Sequence, residues 1–285
     1  MRAAEVAKRT LRLIGRALPP DRERRVVILC YHSVHPTLPF RSATPELFEE
    51  HMSWVQENCD VVPFSEIFAA RQKKARSRPV VSVTFDDGYV DNHEFALPLL
   101  VSCGIRAAFF ITAGLVERDP AVLARFRALR GVDKEMIEPL KWTQIGEMLE
   151  AGMEIGAHTY THPNLVRMND RDLEYELVHS KRVIEDRLGS RITMMAYPFG
   201  RPKVHVDARV VRAVRQAGYD LAGTTVTRGL RRRDDPLAIP RFFATRDTVA
   251  VLRDKVLGAW DLIGTVRERA PVIVARVVSP RDFGF

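Results

Sequence analysis

The stretch Val80-Val81-Ser82-Val83-Thr84-Phe85-Asp86-Asp87-Gly88-Tyr89 decides how this chain is read. An apolar, β-branched run of this kind is expected to be a strand, and it ends on two adjacent carboxylates followed at once by glycine. Side by side, the carboxylates repel, and each ionises readily only where something positive stands near one of them. A divalent metal meets that need. A plain turn is the competing reading, because Asp-Gly is a common turn pair and an aspartate can cap the helix expected to start near Asp91.

Outward from this strand, apolar runs alternate with helical patterns, as in a parallel sheet with crossover helices. Strands are predicted near 26–33, 60–63, 80–86, 106–112, 154–158, 193–198, 220–225 and 238–242. Helices are predicted at 45–57, 65–74, 92–103, 143–151, 170–188, 206–217 and 247–257. In the 170–188 helix, Leu173, Leu177, Ile184 and Leu188 keep one face, Asp170 caps the start and Gly189 suits the end. Its carboxylates and Lys/Arg are read as decorating the other face, where no function is sought. Residues 117–141 lack a strand pattern and read as a helical insertion bracketed by Pro120 and Pro139.

The 285 residues, 46% hydrophobic and 28% charged with no low-complexity tract, describe a globular chain of one α/β barrel's size. The division expected is a basic arm over 1–24, a barrel over 25–258 and a C-terminal extension over 259–285. Residues 1–25 carry eight Lys/Arg against three carboxylates, which supplies most of the net charge of +8. The rest of the chain is near balance, and no nucleic-acid partner is expected. Val6, Thr10, Leu13, Ile14, Ala17 and Leu18 recur at helical spacing, so the arm reads as a basic amphipathic helix. Either it lies on an anionic membrane surface as a peripheral contact, or it packs against the barrel or C-terminal tail with its charges in water. Cys30, Cys59 and Cys103 lack metal-ligand spacing and read as buried free thiols. No leader-like or membrane-spanning apolar run is present, so a cytoplasmic, at most membrane-peripheral, location is expected.

The second motif is His158-Thr159-Tyr160-Thr161-His162, before Pro163 and after the short run Met153–Ala157. Thr, Tyr and Thr are indifferent helix formers and Pro163 disfavours helical geometry at His162, so this is a short turn on a loop. Two imidazoles and one carboxylate supply three ligands to Zn²⁺ or a similar ion and leave positions for water and substrate, the pattern of a catalytic site. One carboxylate then remains to act as a base. The third piece, Ala196-Tyr197-Pro198-Phe199-Gly200, ends another apolar run, where a rigid backbone N–H could stabilise an oxyanion.

These segments, in this order, resemble the NodB-homology polysaccharide deacetylases, carbohydrate esterase family four, over about residues 26–241. Thr84–Gly88 is similar to the family's first motif, His158–His162 to its second, and Tyr197–Gly200 to its third as found in exopolysaccharide-type members. Tyr31-His32-Ser33-Val34 and Asp235–Arg241 also resemble that branch. The resemblance implies a distorted, incomplete (β/α) barrel of about seven strands with its site at the strand C-termini. It implies one divalent metal, with Zn expected before Co, Ni or Mn, held by Asp87, His158 and His162, with Asp86 as base and the Phe199 N–H as oxyanion donor.

Three of the family's features are absent, one of them the Asp-x-x-Asp-Trp motif, in whose place this chain reads Ala222-Gly223-Thr224-Thr225. Where relatives keep a histidine in a Leu-x-His motif, this chain reads Ile239-Pro240-Arg241-Phe242-Phe243, and an arginine that other branches place before the third motif corresponds to Ala196. His32, ending the first strand, is the candidate acid. Arg241 either orients Asp86 or a substrate group, or makes a surface salt bridge. Tyr197 is a candidate substrate contact, and Trp142 is either a sugar-stacking wall or a buried packing residue. His35, His93, His179 and His205 lack a partner motif and read as surface residues or supports. The expected activity is metal-dependent removal of N-acetyl groups from amino sugars of a polysaccharide or lipid-linked precursor. Deformylation, O-deacetylation, a silent carbohydrate-binding barrel and a membrane-peripheral scaffold for glycan assembly are the alternatives.

Overall fold

The computed structural model describes residues 9–10, 12–15, 25–37, 42–72, 78–130 and 138–269. Ten strands are present among them: β1 Val26–Tyr31, β2 Ser33–Val34, β3 Ser42–Ala43, β4 Asp60–Val61, β5 Val80–Asp87, β6 Ala108–Ile111, β7 Glu154–Ala157, β8 Met194–Ala196, β9 Leu221–Gly223 and β10 Phe242–Phe243. The main sheet runs β10-β1-β5-β6-β7-β8-β9, with β4 beside the start of β5 and β2-β3 forming a separate pair. Every pairing between these strands is parallel. The eight predicted runs all hold strands, and the predicted 170–188 helix is Asp170–Leu188, though its cap is Asn169, which accepts the Asp172 N–H at 2.9 Å, and not Asp170 as expected.

Curling brings the two edges of the sheet together. Ile239 bridges Gly223 of β9, and three residues later Phe242 and Phe243 pair with Leu29 and Cys30 of β1. The segment 239–243 therefore spans the gap between the last and first long strands and gives the distorted barrel its closure.

β1 and β5 are buried along their whole length, as expected of parallel strands covered on both faces. Alternation along each strand sorts the side chains into two layers. Val27, Leu29, Tyr31, Val83, Phe85, Phe109 and Ile111 join the helices in the larger apolar cluster. Val26, Ile28, Val80, Ala108, Phe110, Ala196 and Ile239 form the smaller cluster inside the curl. By the same parity Cys30, Asp86 and Arg241 face the interior. Gly156 and Gly223 keep that interior open: a Cβ at Gly156 would lie 2.6 Å from the Phe110 ring, and one at Gly223 2.6 Å from Arg241 Nε.

The predicted 92–103 helix begins as a π-turn at Asn92–Ala96 and continues as α-helix Leu97–Ser102. In the insertion, Pro120–Arg130 is helical, and Pro139 bridges Tyr89. Of the N-terminal arm, residues 9–10 and 12–15 are helical; Arg12 pairs with Asp254 at 2.5 Å and lies over the Trp260 ring. The remainder of the predicted arm helix and the apolar run at 272–278 lie outside the described residues. No described helix is long and apolar enough to cross a membrane. All three cysteines are free, with Cys30 and Cys59 buried and Cys103 partly so.

Candidate active site

The ends of β5 and β7 bring Asp87, His158 and His162 together, all three buried, with ligand atoms within 4.8 Å of one another. Asp87 Oδ1 lies 3.6 Å from His158 Nε2 and 3.4 Å from His162 Nε2. A four-coordinate ion with bonds of about 2.0–2.1 Å holds its ligand atoms roughly 3.4 Å apart, so the spacing fits a metal. His158 Nδ1 is 2.8 Å from the Ala196 carbonyl. A carbonyl only accepts, so Nδ1 carries the proton and Nε2 keeps its lone pair for a cation. Tyr89 donates its hydroxyl to the second oxygen of Asp87 at 2.9 Å.

Backbone strain concentrates here. Six non-glycine residues among those described have positive φ, and Asp87 (78°), Thr159 (67°), His162 (56°) and Phe199 (60°) are four of them. Such conformations persist where surrounding contacts hold them. For the histidine loop the holder is Glu176, buried on the Asp170–Leu188 helix. One of its oxygens accepts the Tyr160 and Thr161 N–H groups at 2.8 and 2.9 Å, and the other accepts the Thr161 hydroxyl at 2.6 Å. The Thr159 hydroxyl accepts the His162 N–H at 3.1 Å. The sequence reading of this helix's carboxylates as purely decorative is thus corrected. Glu176 shares the buried face with Leu173, Leu177, Ser180 and Ile184, and that spacing was a usable signal.

Asp86 turns into the curl and meets Arg241. Arg241 Nη1 and Nη2 donate to its two oxygens at 2.7 and 2.8 Å, while Nε donates to the Thr224 carbonyl and the ring of Phe110 lies 5.4 Å below. Burial alone would raise the Asp86 carboxyl, but the charges of Arg241 and His158 and the hydrogen bonds from Arg241 and Cys30 together outweigh it, and the pKa falls below the usual carboxylate value. The same partnership raises the Arg241 guanidinium against its own burial. Arg241 has no exposed surface. The expectations of a substrate contact or surface salt bridge are therefore corrected: its donors are taken by Asp86 and Thr224. Although Ala196 stands where the family resemblance expects arginine, Asp86 has a guanidinium partner, delivered by the closing segment. Cys30, a buried free thiol as expected, donates to Asp86 at 3.5 Å, and burial pushes that thiol up.

Tyr197 is also corrected. It is wholly buried and donates its hydroxyl to the Leu237 carbonyl at 2.8 Å, which excludes it from substrate contact. Trp142 is partly buried, donates its indole N–H to Glu117 at 2.7 Å and carries Arg187 over its ring. Those partners give it a packing role. Phe199 is half-buried, its ring 4.8 Å from that of His162 and 5.0 Å from that of His205. His32, 4% exposed, lies beyond Cys30 on the interior-facing side of the strand end and stacks on Phe243 with ring centroids 5.5 Å apart.

The polysaccharide deacetylase family model matches residues 73–222, which contain both aspartates, both histidines and Phe199. The chain belongs to the polysaccharide deacetylase family. Similarity to curated members of this deacetylase group is distant. The Bacillus subtilis (strain 168) protein YxkH is 27% identical over 216 residues, covering 75% of this chain and 69% of YxkH. The peptidoglycan-N-acetylglucosamine deacetylase PgdA of Listeria monocytogenes is 23% identical over 148 residues, 52% of this chain and 27% of PgdA. Among solved structures, the Streptococcus pyogenes deacetylase PplD in complex with acetate superposes with a TM-score of 0.68 at 22% identity, covering 82% of this chain and 99% of that one. IcaB from Ammonifex degensii gives 0.67 at 23% identity, covering 82% and 97%. These likenesses place the deacetylase fold; Arg241 lies beyond the family match.

Proposed function

We propose that this chain is a metal-dependent hydrolase that removes N-acetyl groups from amino-sugar residues of a polysaccharide or a lipid-linked glycan precursor. The observation that carries the reading is the division of labour within the aspartate pair: Asp87 faces two imidazoles, while Asp86 faces a buried arginine. Asp87, His158 and His162 would hold the ion, Zn²⁺ before other divalent metals given two nitrogens and one oxygen. When bound, it supplies a Lewis acid that polarises the acetamide carbonyl and lowers the pKa of water.

The chain's own groups account for the rest. Asp86, kept ionised by Arg241, takes a proton from the attacking water. The Phe199 amide, fixed by the turn that precedes Gly200, is the donor offered to the developing oxyanion. Cleavage of the C–N bond leaves acetate and an amine once the nitrogen gains a proton, and His32 at the mouth of the same interior is the group we assign to give it.

The test is incubation of the metal-loaded protein with N-acetylated, N-formylated and O-acetylated glycans, scored for released acetate and formate. Release of acetate from an N-acetyl glycan, abolished in Asp86→Asn with the metal still bound, is the expected result. Full activity in that variant would remove Asp86 from its role, and release only of formate or of O-linked acetate would move the reaction class.

A further inference from the structure

Two loops leave the strands that build the site, one after His162 and one after Phe199, and each carries an arginine. The first forms the short 3-10 turn Leu165–Arg167. The second turns back on itself through Arg201–Val206, where the Arg201 carbonyl accepts the His205 N–H at 2.9 Å and His205 Nδ1 lies 3.4 Å from the Arg201 N–H. Arg209 ties the two together. From the helix Ala208–Gln216 its Nη2 donates to the carbonyls of Leu165, Val166 and Met168 at 2.9–3.2 Å, and its Nη1 pairs with Asp170 at 2.7 Å.

Arg167 is exposed and Arg201 half-exposed, and among the described residues neither guanidinium makes an ion pair or a hydrogen bond. Both charges are felt at His205, whose ring lies 5.0 Å from that of Phe199, itself 4.8 Å from His162. Burial, and then the charges of Arg201 and Arg167, depress the His205 imidazole to about 4. Lys203, also exposed, adds a third cation to the same turn. The nearby Asp170 is committed to Arg209, and Asp207 caps its helix by accepting the Val210 N–H. Among the described residues no carboxylate pairs with Arg167, Arg201 or Lys203; like charges on neighbouring turns repel one another, and an anion relieves that repulsion.

We propose that Arg167 and Arg201 form a specificity rim that binds an anionic group of the glycan, a carboxylate or a phosphate, on a sugar or linkage next to the one being deacetylated. The inference rests on the deacetylase reading of the site and adds the substrate's charge. Two ring contacts separate the rim from His162, so the anion belongs to a neighbouring unit rather than to the sugar bearing the acetamide.

The test compares three substrates on the metal-loaded full chain: a neutral N-acetylhexosamine oligomer, an oligomer alternating N-acetylhexosamine with a uronic acid, and an N-acetylhexosamine joined through a phosphodiester. The expected result is a KM about five- to tenfold lower for one anionic substrate than for the neutral one, as for a charge-assisted contact at a partly exposed site. Which anionic arm responds identifies the source of the charge. The preference should vanish in the Arg167→Gln/Arg201→Gln double variant, persist in Arg167→Lys/Arg201→Lys, and fade with added salt. Titration calorimetry with a uronic acid oligomer lacking acetamide, and with inorganic phosphate, reads the rim without turnover. Equal KM for all three substrates, with acetate released from each, overturns the rim and leaves the deacetylase reading intact. Anion binding lost in the Gln variant, with no acetate from any glycan, upholds the rim and overturns that reading.

Discussion

Arg241 and Asp86 meet fork to fork inside the barrel, with parallel N–H···O bonds of 2.7 and 2.8 Å and solvent exposures of 0% and 3%. Breaking a buried pair by removing one partner leaves an uncompensated charge. Arg241→Met should therefore lower stability by about 3–5 kcal/mol and release the Asp86 proton only at higher pH. Arg241→Lys keeps the charge but loses the bidentate geometry, and should fold while losing at least tenfold in kcat. Urea denaturation and steady-state kinetics on the two variants separate stability from positioning.

Gly223 offers a way to disturb the pair without touching either member. A Cβ there would meet Arg241 Nε at 2.6 Å and Cδ at 2.9 Å. Gly223→Ala should displace the guanidinium, lowering kcat by about tenfold or more, as expected for a misplaced catalytic group, while metal affinity measured by calorimetry stays near wild type. A variant with unchanged kcat would show that the barrel accommodates the methyl elsewhere.

Glu176 predicts the opposite pattern. Its three hydrogen bonds hold the loop between the two histidine ligands, so Glu176→Ala should weaken divalent metal binding about 10- to 100-fold, the usual cost of losing an outer partner of metal ligands. Glu176→Gln retains an acceptor for the two N–H groups and should recover most of it. Competition with a metallochromic chelator measures both.

Asp91 sets a pH dependence of stability. Buried beside Ser33, Val34 and Asn92, it accepts their hydrogen bonds, yet burial dominates, with Glu94 adding to it, and pushes the carboxyl up to about 7 from 3.8. A raised native pKa stabilises most below the unfolded value, and that contribution is lost between about 4 and 7 as the unfolded chain ionises and the native one does not. Asp91→Asn mimics the protonated carboxyl. It should be more stable than wild type at pH 8 by ~1–3 kcal/mol, with the gap closing toward pH 4 in urea denaturation.

Removing the divalent ion should lower Tm, since a ligand that binds only the folded chain stabilises it by mass action, by ~2.7 kcal/mol at a hundredfold excess over Kd. Zinc should restore the transition in wild type and not in His158→Ala. An identical Tm with and without chelator would disconnect the Asp-His-His group from metal.

Strands and metal ligands were legible because each announces itself locally: a β-branched run, an aspartate pair at its end, two histidines four apart before proline. What was not legible depends on which way a strand faces. Arg241 stands 155 positions from Asp86, and only barrel closure and interior parity reveal that the two share one space. Tyr197 failed as a substrate contact for the same reason, its ring turned into the larger apolar cluster. Glu176 hid among the many charges of a helix whose apolar stripe was read from leucine and isoleucine alone. Trp142 left both of its readings open until Glu117 and Arg187 chose between them.

The closing segment also sets an order of events in the cell. Synthesis runs from the N-terminus, so both aspartates and both histidines leave the ribosome before residues 239–243 do. A nascent or clipped chain can own every ligand side chain and still lack the guanidinium that keeps Asp86 charged. The charge partner of Asp86 therefore arrives only with the segment that leads into the last described strand.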